Sequence, residues 1–224
     1  MIACIPNVLD RKQLKDIRAI VDRADFVDGR TTAQGRAQRV KQNEQIDKKD
    51  ANGTRALDGI VVGALRKNAE FQEFAVPQVI RNPLISRYKP GMQYGLHVDN
   101  ALMGTGSKVR SDLSCTVFLN EPEDYEGGEL TIRTHWGEQE IKLRAGEAVV
   151  YPSSSLHRVN SVTSGERIAA VTWIQSHVRS GEQREVLYDL KQIVKKLAKA
   201  APDDPETDLA FKTYSNLLRM WSET

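Results

Sequence analysis

The sequence predicts an α+β protein whose β-rich middle is an antiparallel sandwich or jelly roll, with helices before it and a helical hairpin after it. Three observations carry this. Helical spacing of apolar residues dominates the first 75 or so positions, short β-rich runs separated by Gly and Pro turns fill the middle, and helical spacing returns after about residue 181. The first helix is expected to begin at Asp10, which forms a capping-box pattern with Gln13; Leu14, Ile17, Ile20, Val21 and Ala24 then recur on one face. Residues 28–55 are polar, with Val40 and Ile46 their only large apolar side chains, and read as extended or irregular, in the manner of a flap. A second helix is expected over about 57–70, where Leu57, Ile60, Val61, Ala64 and Leu65 share a face.

The β-rich runs follow: Val79-Ile80, Leu84 to Tyr88, Ser114 to Leu119, Glu129 to Arg133, Glu140 to Leu143, Ala148 to Tyr151 and Arg167 to Ile174. Pro90-Gly91, Gly127-Gly128, Trp136-Gly137, Ala145-Gly146 and Ser164-Gly165 supply turns between them. Val186, Leu187, Leu190, Ile193, Val194 and Leu197 form one helical stripe, Pro202-Asp-Asp-Pro205 breaks it, and Leu209, Tyr214, Leu217, Leu218 and Trp221 form another. The chain thus divides into a supporting segment over 1–77, a β core over 78–178 and a helical extension over 179–224.

Bulk properties exclude several classes. The net charge of +2, from 32 basic and 30 acidic residues, lacks the basic excess of a nucleic-acid binder and argues against a membrane-surface partner. Two cysteines, Cys4 and Cys115, make no disulfide framework and no Cys-x-x-Cys zinc pair. No apolar run approaches the roughly 18–20 residues a membrane span needs, and the start has no basic n-region of a signal peptide. A cytoplasmic enzyme is expected.

The chemistry concentrates in Arg87-Tyr-Lys-Pro-Gly-Met-Gln-Tyr-Gly-Leu-His97-Val-Asp99-Asn100, with His157 and Arg167 downstream. His97 and Asp99 are two apart, so on an extended segment they project to one side. Two imidazoles and one carboxylate on one face of a metal form the ligand set of a non-haem Fe(II) oxygenase. His135 and His177 compete for the third place, but His135 falls in a hairpin turn and His177 at the far end of the last strand, so His157 is preferred. Arg167 opens the apolar run Ile168 to Ile174, and an arginine there needs a reason to point inward; a carboxylate partner supplies one.

Taken together, Arg87-Tyr-x-Pro-Gly-Met-x-Tyr-x-x-His97-x-Asp99-Asn100, Gly127-Gly128-Glu129-Leu130, Ala145-Gly146, Tyr151-Pro152 and the stretch from His157 to Arg167 resemble the Fe(II)/2-oxoglutarate-dependent dioxygenases. Among these the chain is most similar to the bacterial PKHD-type hydroxylases, relatives of the prolyl 4-hydroxylase catalytic domain. The resemblance covers roughly 78–178, and the C-terminal hairpin is also similar to that subfamily's tail. It implies a double-stranded β-helix core and makes His97, Asp99 and His157 the iron ligands, with Arg167 on the distal carboxylate of 2-oxoglutarate. Tyr88 resembles the tyrosine that assists 2-oxoglutarate binding, while Tyr94 and Asn100 are placed toward substrate.

The reaction so implied consumes O2 and 2-oxoglutarate, releases succinate and CO2, and hydroxylates an unactivated C–H bond, with L-ascorbate as an auxiliary reductant. In related halogenases a small residue replaces the carboxylate ligand; Asp99 is retained, which favours hydroxylation. The substrate reads equally as a prolyl residue, a free amino acid or a small metabolite. Loop 100–111, with Gly104, Gly106, Lys108 and Arg110, reads either as a lid or as a solvated connection, and the C-terminal stripes either pack on the sheet or join copies into a homo-oligomer. The competing class is a non-catalytic, cupin-like metal-binding sensor or scaffold, which has no use for Arg167.

Overall fold

The computed structural model describes residues 1–223 except 48, 50, 105 and 107, with the backbone alone described for Ala51 and Asn52. Two antiparallel sheets face each other. The larger has eight strands: Ala3–Ile5, Ala148–Pro152, Leu113–Phe118, Arg167–Ser176, Leu84–Tyr88, Glu44–Ile46 and Phe26–Asp28 in that order, with Pro77–Ile80 pairing farther along Arg167–Ser176. The smaller runs Gly137–Ile141, Leu130–Thr134, His157–Val159, Gln93–His97 and Lys41–Gln42. This is the expected jelly-roll core.

Strand alternation sorts the side chains into two cores. Cys115, Val117, Ala148, Val150, Ile168, Ala170 and Ile174 leave the outer face of the large sheet and pack under the N-terminal helices. Their neighbours Phe118, Val149 and Tyr151 turn inward and meet Leu130, Ile132 and Val159 of the small sheet. Arg167 precedes Ile168 and therefore falls on the inner face, where it is 1% exposed. Period two alone drives this arginine into the space between the sheets.

Helix Arg11–Val21 starts as expected: Asp10 caps it, with Gln13 completing the reciprocal box, and Ile17 and Val21 are buried. The second helical region differs from the expected single helix over 57–70. It begins at Ala51, ends at Lys67, and is followed by a separate helix, Ala69–Ala75, capped by Asn68 through the Phe71 amide. An asparagine in this position satisfies the free amides of a new helix, so it divides what periodicity alone would join. Phe71 and Phe74 of the second piece enter the helix-covered core. Fully burying an aromatic of this size contributes roughly 1.5–3 kcal/mol.

Residues 28–55 also acquire more structure than their composition suggests. A 3-10 turn, Gly29–Thr32, and a short helix, Gly35–Arg39, lead into Lys41–Gln42, which pairs with Gln93–His97 in the small sheet. Two residues later Glu44–Ile46 pairs with Leu84–Tyr88 in the large one. Asn43 is thus the point at which the chain steps from one sheet to the other. Strands of only two and three residues leave no alternation to detect.

The C-terminal hairpin comprises Gly181–Ala200, capped by Ser180, and Pro205–Trp221, capped by Asp204 with proline in its first turn. It docks on Ala69–Ala75 through the edge-to-face pair Phe74–Tyr188, with centroids 5.6 Å apart, and the ion pair Lys195–Glu73 at 2.9 Å. Val186, Ile193, Leu209, Phe211 and Met220 stay exposed on its outer side. No helix among the described residues is long and apolar enough to cross a membrane.

Candidate active site

His97 ends one small-sheet strand and His157 begins its neighbour, and the two are direct cross-strand partners. Their ring centroids lie 4.3 Å apart. Asp99, just past the strand end, turns its carboxylate toward both: Oδ1 lies 3.8 Å from His97 Nε2 and Oδ2 lies 3.7 Å from His157 Nε2. The three ligand atoms fall within 4.8 Å of one another, the only such group of three or more among the described residues.

Each imidazole is held by its other nitrogen. Nδ1 of His97 faces the Gly95 carbonyl at 2.8 Å, and Nδ1 of His157 faces the Ser155 carbonyl at 3.0 Å. A carbonyl accepts only, so Nδ1 carries the hydrogen and the Nε2 lone pair is left for a metal. Burial, and then the neighbouring His157, push His97 down to about 4, which keeps it neutral at ordinary pH. Ser114 Oγ and Trp173 Nε1 both donate to Asp99 Oδ2, at 2.6 and 2.9 Å, and Ser153 backs Ser114 at 2.8 Å. With Oδ2 occupied, Oδ1 is the oxygen free to ligate. Two imidazoles that each turn Nε2 inward, one oriented carboxylate and the donors that hold it together fit a facial iron site.

The triad lines one wall of a cavity of about 470 Å³ that reaches Arg167 between the sheets. Arg167 pairs with Tyr88 across the strands and lies 5.3 Å over its ring, but no acidic residue among those described pairs with it, and its Nε has no partner. Both polar atoms of the Asn43 side chain, which is 4% exposed and lines the same cavity, are also unpartnered. Burial pushes the Tyr88 phenol up to about 12, so it stays a donor. Gly128, at φ +68°, makes room here: a Cβ would sit 3.0 Å from both Arg167 Cδ and Val162 Cγ2. Buried donors and a guanidinium without an internal acid fit an exogenous carboxylate.

Every residue singled out for the site lines this cavity: His97, Asp99, His157, Arg167, Tyr88, Tyr94 and Asn100. Tyr94 stacks on His97, with centroids 3.6 Å apart and planes 14° apart. Asn100 is at the mouth, where its carbonyl accepts from Ser111 Oγ. His135 sits exposed in a hairpin turn, and His177 lies beyond the last strand with Nδ1 facing the Glu223 carbonyl. Loop 100–111 contains a small ribbon, Leu102–Met103 against Val109–Arg110, and residues 105 and 107 of the expected lid lie outside the described residues. Sequence reasoning missed Ser114, Trp173, Asn43 and Lys41.

Comparison with known proteins fits this geometry. Residues 83–175 match the model of the 2OG-Fe(II) oxygenase superfamily, and residues 182–223 match the PKHD-type hydroxylase C-terminal domain. A PKHD-type hydroxylase of Synechococcus elongatus is 47% identical over 224 residues, covering all of both chains. Another, from Thioalkalivibrio sulfidiphilus, matches equally over the full length of both. The chain belongs to the PKHD-type hydroxylases. It is therefore a 2-oxoglutarate- and Fe(II)-dependent oxygenase, and the cupin-like alternative falls away.

Among solved structures, this hydroxylase is similar to a prolyl hydroxylase from Trichoplax adhaerens in complex with a peptide fragment of hypoxia inducible factor, with TM-score 0.58 and 14% identity over 83% of this chain and 86% of that one. It is likewise similar to the epimerase SnoN of nogalamycin biosynthesis, at TM-score 0.58 and 13% identity, over 79% and 77%. These likenesses establish the fold.

Proposed function

We propose that this hydroxylase holds Fe(II) on His97, Asp99 and His157, anchors 2-oxoglutarate through Arg167, and hydroxylates an aliphatic C–H bond of a substrate admitted past Tyr94 and Asn100. The observation that carries the reading is Arg167: a fully buried guanidinium with no acidic partner among the described residues, in the same cavity as the histidine pair. A mere metal scaffold would bear the cost of that buried charge for nothing. When bound, iron supplies O2 activation with 2-oxoglutarate as the source of the other two electrons, giving succinate, CO2 and an alcohol.

The protein's own residues do the positioning. The guanidinium fork of Arg167 fixes one carboxylate of the cosubstrate, with the Tyr88 hydroxyl beside it as a second donor. Ser114 and Trp173 hold Asp99 by Oδ2, so that Oδ1 would be the oxygen offered to iron. Tyr94 covers the face of His97 and keeps water from that side. Residues 78–178 then form the working core, with 1–77 and 179–224 as its supports. The substrate is a prolyl residue or a small metabolite, and ascorbate serves as auxiliary reductant.

The test is anaerobic. Protein with Fe(II) and 2-oxoglutarate should develop a weak visible charge-transfer band that is absent in His97→Ala and strongly diminished in Arg167→Ala. Iron binding without any band, and without succinate formation in air, would refute the assignment.

A further inference from the structure

The wall opposite Arg167 holds a second buried cation. Lys41 lies on the two-residue edge strand of the small sheet, directly across from Tyr94, and is 5% exposed. Its ammonium donates to Thr32 Oγ1 at 3.0 Å and lies 5.2 Å from the centre of the Tyr94 ring, which is itself stacked on His97. No described acidic residue lies within ion-pair distance of it: Asp99 and Asp28 attract it from farther away, and Asp28 is itself paired with Arg30. Thr32 cannot neutralise the charge, since its hydroxyl proton is given to Gln45 Oε1 or the Gly29 carbonyl, at 2.7 and 3.0 Å.

The charges around the cavity are lopsided. Among the described residues lining it stand four cations, Lys41, Arg81, Lys108 and Arg167, against one acid, Asp99. Asp99 is taken by the metal, and Arg167 by the cosubstrate. Arg81 and Lys108 are not buried and are left to solvent. Among the groups that remain, the two positive charges of iron and one each from Arg167 and Lys41 then face one negative charge on Asp99 and two on 2-oxoglutarate. One positive charge is left without a counterpart in a desolvated site, which is costly unless a ligand supplies the anion.

Resting on the functional reading above, we propose that Lys41 is a substrate-binding, specificity-determining residue, and that the substrate carries a carboxylate which Lys41 pairs with while the C–H bond is held over the metal. Lys41 acts on substrate and not on the cosubstrate, because it sits on the small-sheet wall behind Tyr94, whereas Arg167 and Asn43 occupy the region around Tyr88. A lysine suits this role because its ammonium is a point charge that accepts a carboxylate from several directions, where the arginine fork demands one plane. A free acid and an acidic side chain of a peptide offer the same group, and the choice between them is made by experiment.

The probes are N-acetyl amino acids, each paired with its N-acetyl amide, together with N-acetyl-aspartate amide and N-acetyl-glutamate amide, in which the carboxylate is on the side chain. Each is titrated into anaerobic protein loaded with Fe(II) and 2-oxoglutarate, following the visible band and the shift in melting temperature. At least one carboxylate should perturb the band where its amide does not. Its affinity should drop about tenfold or more in Lys41→Met and be largely kept in Lys41→Arg. A response to the N-acetyl acids assigns a free acid; a response only to the aspartate or glutamate amides assigns a peptide side chain.

Equal binding of acids and amides, unchanged affinity in Lys41→Met, or no response to any carboxylate would each overturn the proposal. The band formed before any probe is added separates the two readings. If it is absent in the wild type, the oxygenase assignment itself fails. If it is present in both the wild type and Lys41→Met while no carboxylate preference appears, only the substrate inference fails.

Discussion

The two buried cations of the cavity make an instructive pair. Arg167 opens a ten-residue strand in the middle of the large sheet, with neighbours hydrogen-bonded on both sides. Lys41 sits on a two-residue strand at the edge of the small sheet, in a segment that steps to the other sheet at Asn43. Both are held from water without an ion-paired acid among the described residues, so both cost the ligand-free protein stability that a bound anion returns. The difference is in what surrounds them. A central strand fixes its side chains to the scaffold, which suits a cosubstrate that does not vary, whereas an edge segment can change without disturbing the sheet. Invariant chemistry is built into the centre and discrimination into the rim.

Arg167→Met should separate these costs most sharply. The apparent KM for 2-oxoglutarate is expected to rise on the order of a hundredfold, since on the proposed reading the variant removes the charged partner of the cosubstrate's carboxylate. The same variant, free of ligands, should melt at a higher temperature, because replacing an uncompensated buried charge by an apolar side chain of similar volume is neutral or stabilising by about 1–4 kcal/mol. Steady-state succinate assays and calorimetry on one preparation check both. A fall in melting temperature with unchanged KM would mean that Arg167 is structural.

Trp173→Phe probes the region between the two cations. Trp173 lies on the inner face of the same strand as Arg167 and donates to Asp99 Oδ2. Phenylalanine keeps most of the ring and removes the N–H, leaving Ser114 alone on that oxygen. Loss of an outer-shell donor of this kind typically costs about 10–100-fold in metal affinity. Fe(II) titration should show this weakening while the KM for 2-oxoglutarate at saturating iron changes little. Equal effects on both would indicate that the cavity has collapsed.

Much of this site was legible in the sequence, for a physical reason. His97 and Asp99 are two residues apart on extended chain, so local geometry alone aligns them, and Arg167 betrays itself by opening an apolar run it has no cause to join. Ser114 and Trp173 were readable only as core-strand residues. Their bonds to Asp99 span 15 and 74 positions, and no local pattern encodes such a contact. Lys41 and Asn43 were hidden more deeply. Their segment is polar, its strands are too short to alternate, and only pairing with Tyr94 on one side and Leu84–Tyr88 on the other turns two ordinary surface-like residues inward. The helix start at Asp10 obeys local capping chemistry, but the break at Asn68 needed the buried Phe71 and Phe74 to make a second helix worthwhile.

The smallest expected effect turns on the proton of Lys41. Burial pulls Lys41 down to about 8, against the attraction of Asp99 and then Asp28. In the unfolded chain a lysine holds its proton to about 10.4. Between those values the unfolded state binds more protons than the folded one, so the contribution of Lys41 to folding becomes less unfavourable as pH rises, and it is fully unfavourable below about 8. The facing groups, Asp99, Asp28, Tyr94 and His97, are shared by wild type and Lys41→Met, so the difference between the two proteins isolates the lysine. Urea unfolding of ligand-free protein should find Lys41→Met the more stable near pH 7, with the gap narrowing through the alkaline range. An acid bound to Lys41 raises its proton affinity, so a saturating carboxylate should flatten that trend, and a gap that stays constant with pH would show that the ammonium is solvated after all.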